Sequence, residues 1–141
     1  MAYITESDVS KVLPIQELVL LTDDSGSGTV DSANFNQCVA DSEAIINAYL
    51  RPQHSVPLTT PGDLIKKIDI ELTIFHLNKR RDTISEAVRN YYDDNLKLLN
   101  KISTGSITIN DPDSFRNTGG RIQSNKSSTS KVYTSSEMDK F

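Results

Sequence analysis

The chain has 141 residues, with 15 Lys/Arg against 19 Asp/Glu and a formal net charge of −4. That length suits one domain with a small core, and the acidic balance excludes long-range attraction to DNA or to an anionic membrane. Cys38 is the only cysteine, which excludes an intrachain disulfide and a cysteine-based zinc cluster.

Composition divides the chain near residue 110. Residues 1–110 carry 10 Lys/Arg and 15 Asp/Glu, a net of −5, with apolar residues at helical spacing. Residues 111–141 carry 5 and 4, a net of +1, in a background of Ser, Thr, Asn, Gly and Lys. Their large apolar side chains are isolated: Phe115, Ile122, Val132, Tyr133, Met138 and Phe141. So few cannot offset the ordering entropy of the segment. The expectation is a helical body over 1–110 and an extension over 111–141, disordered when free and ordered on assembly. Residues 1–9 lack a basic segment followed by an apolar run, which predicts no signal peptide. No stretch approaches the ~20 apolar residues of a membrane span, so a soluble protein assembled in the cytoplasm is expected.

In chain order, Thr5-Glu6-Ser7-Asp8 has capping-box character and opens a short helix that Pro14 interrupts. Ile15–Leu21 follows as a second short helical segment. Asp23–Asp31 is a turn, because two glycines lie among small polar residues. A long helix begins near Ser32, with Phe35, Cys38, Val39, Ser42, Ile45, Ile46, Tyr49 and Leu50 on one stripe. Ser42 in that stripe lets another backbone approach. Arg51-Pro52 ends the helix. Beyond the loop 53–60, Thr60 is a cap with Pro61 at the first helical position and Asp63 near the positive dipole end.

The helix Leu64–Arg80 has two apolar faces. Leu64, Ile65, Ile68, Leu72 and Phe75 lie on one, and Ile70, Ile74 and Leu77 on the other. A helix of that kind is either central in its domain or packed on a second subunit, and Ile70, Ile74 and Leu77 are the interface candidates of this body. Lys79-Arg80-Arg81 ends it as a solvated basic helix terminus, with a phosphate site as the alternative. Thr83–Glu86 forms a second capping box. Ile84, Ala87, Val88, Tyr91, Tyr92, Leu98, Leu99 and Ile102 then make a long stripe that stops at Gly105. Ser106–Ile109 alternates like a short strand before Asp111-Pro112. The fold class is all-α: a small bundle of three main helices with one or two short N-terminal ones.

The turn deserves a chemical test. From Asp23, residues 23–34 match part of an EF-hand loop: Asp23, Ser25 and Ser27 at positions one, three and five, Gly28 at six, Val30 at eight and Asp31 at nine. Position twelve is Asn34 where a bidentate Glu is required, and serines stand in for carboxylates, so the set is poor for Ca²⁺. Asp23, Ser25, Ser27 and Asp31 are therefore metal candidates only for the alternative reading, a calcium-responsive helical binding module. The preferred reading makes Asp31 or Ser32 the cap of the long helix, with no metal and no cofactor.

Catalytic chemistry lacks a signature. His54 and His76 have no ligand partner at characteristic spacing. Asp69/Glu71 and Asp93-Asp94 fall on faces predicted to be solvated, so no acid–base pair is expected. There is no phosphate-binding glycine loop, since the Gly26–Gly28 turn lacks both a following Lys-Ser/Thr and a preceding strand. No nucleophile signature stands out. The connection 53–60 is too long for a DNA-reading helix-turn-helix.

Three runs taken together carry a resemblance: Leu21-Thr22-Asp23 with the turn Ser25–Asp31, the helix end and loop Tyr49–Leu58, and the basic helix end Phe75–Asp82 followed by Arg89–Gly105. In order and spacing they resemble a family of small Mu-like bacteriophage head-to-tail connector (neck or adaptor) proteins, over residues 1–110. The resemblance implies a structural virion protein rather than an enzyme. It would assemble as a ring, of twelve copies, on the portal in the head–tail neck, contact a downstream neck or tail-terminator protein, and let DNA pass its lumen without specific recognition. Phe115, Val132, Tyr133 and Phe141 are then candidate anchors into the portal or neighbouring subunits.

Overall fold

The computed structural model describes residues 2–109, and every helix among them starts or stops for a local chemical reason. Helix α1 (Glu6–Ser10) is capped by Thr5, whose backbone N–H donates to Asp8 Oδ2 at 2.9 Å. Pro14 then precedes α2 (Ile15–Thr22). Helix α3 (Ser32–Leu50) is capped by Asp31, which accepts from the N–H groups of Ala33 and Asn34. Capping of this kind satisfies donors that no intrahelical carbonyl reaches. Helix α4 (Asp63–Arg80) and α5 (Glu86–Ser103) complete the set.

Two starts differ from the sequence reading. The cap of α4 is Gly62, so Thr60 and Pro61 belong to the loop. The cap of α5 is Ser85, whose hydroxyl accepts from Val88 N–H, and not Thr83. Thr83 instead closes the preceding turn, donating N–H to Asn78 O at 3.0 Å. That turn needs Asp82 at φ 54°, a left-handed conformation that Asp tolerates better than most residues. Ser106–Ile109 is not a strand. Ile107 donates N–H to Lys101 O, and Ile107 and Ile109 pack against the core.

Helices α3, α4 and α5 form the bundle. Side-chain pairs fix their directions: Ser42 meets Asp69 while Cys38 shares a cleft with His76, so α3 and α4 run antiparallel. Asn95 reaches Glu71, and Tyr92 stacks on Phe75 with centroids 3.9 Å apart, so α5 also returns along α4. The α4 helix touches each of the other four. Centrality accounts for its two apolar faces: Ile65, Ile68, Leu72 and Leu77 are all 0–1 % exposed, and Ile70 and Ile74 pack partly buried against the core. Tyr3 ties the N-terminal segment down, its hydroxyl donating to Asn47 Oδ1 and accepting from Leu58 N–H at 2.9 Å.

Candidate functional site

The turn after α2 is clamped from two sides. Asp23 folds back on it, its Oδ1 accepting from the N–H groups of Ser25 and Gly26 and its Oδ2 from Gly28 N–H at 2.8 Å. Gly26 and Gly28 have φ of 75° and 74°, a region where a Cβ is strained. The amide bonds, that of Gly28 foremost, pull the Asp23 carboxyl down to about 2. Asp24 meets the end of α4, pairing with Arg80 at 2.6 Å and Arg81 at 2.9 Å. Arg80 also donates to Leu21 O at the end of α2, and Arg81 to Asp23 O.

These contacts show where the side chains of the metal candidates are engaged. An EF-hand needs carboxylate and carbonyl oxygens converging on one point. Here Asp23 faces N–H donors, Asp31 is committed to the start of α3, and the Ser25 hydroxyl donates to Asp23. Ser27 bonds Thr29 through its hydroxyl. Among the described residues no group of three His, Cys, Asp or Glu side chains is disposed to hold a metal ion. The basic run lies exposed at the end of α4, as expected, and its two guanidinium groups also bind the turn. Two cations at the C-terminal end of a helix suit its dipole, and the turn supplies their counter-charge.

A second polar feature was placed wrongly by the sequence reading. Asp69 is 0 % exposed, not on a solvated face, and accepts from the Ser42 hydroxyl of α3. That hydroxyl also lies 3.2 Å from Asp69 O, so Ser42 is where the two helices come closest in polar contact. Burial pushes the Asp69 carboxyl up to about 7, the Ser42 bond opposing this and the Glu43 charge adding to it. Its Oδ2, Thr73 Oγ1 and His76 Nε2 are buried without a hydrogen-bond partner. Spaced i, i+4 and i+7, they form one polar seam along α4. Glu71 is half-buried and accepts from Asn95 at 2.5 Å.

Near the end of that seam Cys38, Asp41, His76 and Lys79 share a cleft of about 350 Å³ with Gln37 and Arg80. Burial raises the Cys38 thiol and lowers His76. A thiol held protonated beside a neutral imidazole is the opposite of an activated nucleophile.

The larger depression is apolar. Its floor is Ile74 and Asn78 of α4, one wall is Leu13, Val19 and Leu20, and the other is Val88 of α5, enclosing about 810 Å³. Leu20 is 72 % exposed, and Val12 and Ile15, outside the lining, are 62 % and 50 % exposed. Of the interface candidates, Ile74 lies in this groove, Ile70 is half-buried beside the core, and Leu77 is wholly internal. Phe115, Val132, Tyr133 and Phe141 lie outside the described residues. The groove was missed in the sequence, although Leu20 offered a signal: it is a large apolar side chain on the outer face of α2, between the exposed Gln16 and Glu17.

The fold and these contacts define a small all-helical scaffold whose charged groups hold its own elements together while an apolar groove stays open. The chain belongs to the family described as "Bacteriophage Mu, Gp36", whose profile matches residues 3–124. Gene product J of Escherichia phage Mu is 29 % identical over 106 residues, 74 % of each chain. The Mu-like prophage FluMu protein gp36 of Haemophilus influenzae is 25 % identical over 81 residues, 57 % of this chain and 56 % of that protein, so the match spans little more than half of that relative. It is a phage protein, and no helix among the described residues is long and apolar enough to cross a membrane.

Proposed function

We propose that the protein is a head-to-tail connector of the virion, assembling as a ring on the portal and joining capsid to tail. The observation that carries this reading is the open apolar groove, with Leu20 72 % exposed on its wall. Exposed apolar surface of that kind marks a protein-binding site. Membership of a Mu phage family and the acidic body support it, since an acidic lumen would not retain passing DNA. Partners are other copies of the chain, the portal and a downstream neck protein. The C-terminal extension adds the contact that holds the ring in place, through Phe115, Val132, Tyr133 and Phe141.

Electron microscopy of virions, and of the purified protein mixed with its portal, tests the reading. Rings in the neck are expected, of twelve copies, and a persistent monomer under both conditions overturns it. Deletion of residues 111–141 is expected to leave helical content unchanged and to abolish attachment to capsids. Unchanged attachment removes the extension from the contact.

A further inference from the structure

We infer that the groove between α2 and the start of α5 is the docking site of the chain's own C-terminal segment, Lys131–Phe141. The groove needs an apolar occupant: Leu20 stands 72 % exposed on one wall, and Val88 and Ile74 face it. Four of the six large apolar side chains of residues 111–141 fall in this segment: Val132, Tyr133, Met138 and Phe141. A cleft of about 810 Å³ has room for several side chains of that size.

Charge placement agrees. Lys131 and Lys140 bracket the segment, and Glu137 and Asp139 lie between them. The groove presents Glu17, while Asp23 and Arg81 in its lining are engaged within the turn. Glu17 has no ion pair among the described residues. Oppositely charged groups at the edge of an apolar contact set its register more than its strength.

The length of chain allows the connection. The described residues end at Ile109, beyond the C-terminal end of α5, whereas the groove lies at its N-terminal end. Eighteen helical residues span about 27 Å. The 21 residues 110–130 reach up to roughly 70 Å when extended. The segment can therefore enter the groove of its own chain or of an adjacent copy, and covers the same apolar surface either way.

The test places a benzophenone amino acid at position 141 of the full-length chain and maps photocrosslinks by mass spectrometry. Crosslinks are expected to residues 12–23 and 84–92. In the same chain, Leu20→Asp is expected to lower their yield roughly tenfold, with helical content by circular dichroism unchanged because Leu20 is not part of the buried core. Crosslinks spread over other faces, or a yield that Leu20→Asp leaves intact, overturn the inference. Mixing isotopically heavy and light chains reports which copy supplies the segment. Groove crosslinks without rings in the microscope would remove the ring and leave this inference standing, and rings with crosslinks elsewhere would do the reverse.

Discussion

Asp69 is the residue whose chemistry most exceeds its apparent role. Its carboxyl sits between α3 and α4 with a titration point pushed up to about 7 by burial, against an ordinary 3.8. The folded state therefore holds this proton across a window in which the unfolded chain has lost it. Stability from this group is fully present below about pH 4 and is lost as pH rises towards 7. Three pH units correspond to a loss on the order of 4 kcal/mol. Asp69→Asn should flatten this part of the stability profile and unfold at higher denaturant than the parent at pH 8. Urea titrations from pH 4 to 8 measure it, and an equally sloped profile in the variant would assign the dependence elsewhere. Glu43, Asp41, Tyr3, Cys38 and His76 are the other titratable groups on or near the seam, so the comparison is made against the parent under the same buffers. At Asp23 and Asp24 the expectation concerns metal. With Asp23 held by amide donors and Asp24 by two guanidinium groups, millimolar Ca²⁺ should release no heat and leave the amide resonances of residues 25–28 in place. Saturable shifts there would restore the calcium reading.

At the scale of elements, the end of α4 is fastened to the end of α2 by Arg80. Its side chain is 27 % exposed, and its guanidinium bonds both Leu21 O at 2.8 Å and Asp24 at 2.6 Å. Charge-assisted bonds of this kind contribute more than neutral ones, so Arg80→Ala should cost about 1–2 kcal/mol. Asp24 is half exposed, and its loss leaves the carbonyl contacts of both arginines intact. Asp24→Ala should therefore cost under about 1 kcal/mol. Thermal unfolding of the two single variants and the double variant checks the order, and an equal cost for both would mean that the ion pair, not the carbonyl bond, fastens the helices. Much of this level was legible in the sequence where local chemistry decides. Thr5 with Asp8, Pro14, Asp31 and the Arg51-Pro52 stop mark element ends through contacts made within a few residues. The starts of α4 and α5 slid by two residues because neighbouring candidates offer nearly equal caps, and the path of the loop selects among them. Asp69 lies on the stripe of Ile65, Ile68 and Leu72, so spacing alone placed it inward, but its carboxylate chemistry argued for water. What settled it is Ser42, 27 residues away in sequence. The clamp by Arg80 and the groove beside Leu20 share that character, being products of pairings that no local pattern encodes.

For the whole molecule the governing quantity is charge. Each copy carries −4, with −5 concentrated in residues 1–110. Copies of such a body repel one another as they approach, and an apolar contact must overcome that repulsion. Salt weakens it, because the screening length falls from about 30 Å at 0.01 M to about 8 Å at 0.15 M. Self-association should therefore strengthen as salt is raised through this range, which sedimentation at fixed protein concentration measures. Binding to nucleic acid follows the opposite law, since counterion release makes phosphate contacts weaken with salt. Arg80 and Arg81, the obvious phosphate ligands in this body, are already paired with Asp24. The protein should accordingly show no retention on immobilised DNA even at low salt. Association that falls as salt rises, together with DNA retention, would mean that basic groups dominate the assembly surface, and it would count against an apolar contact between copies.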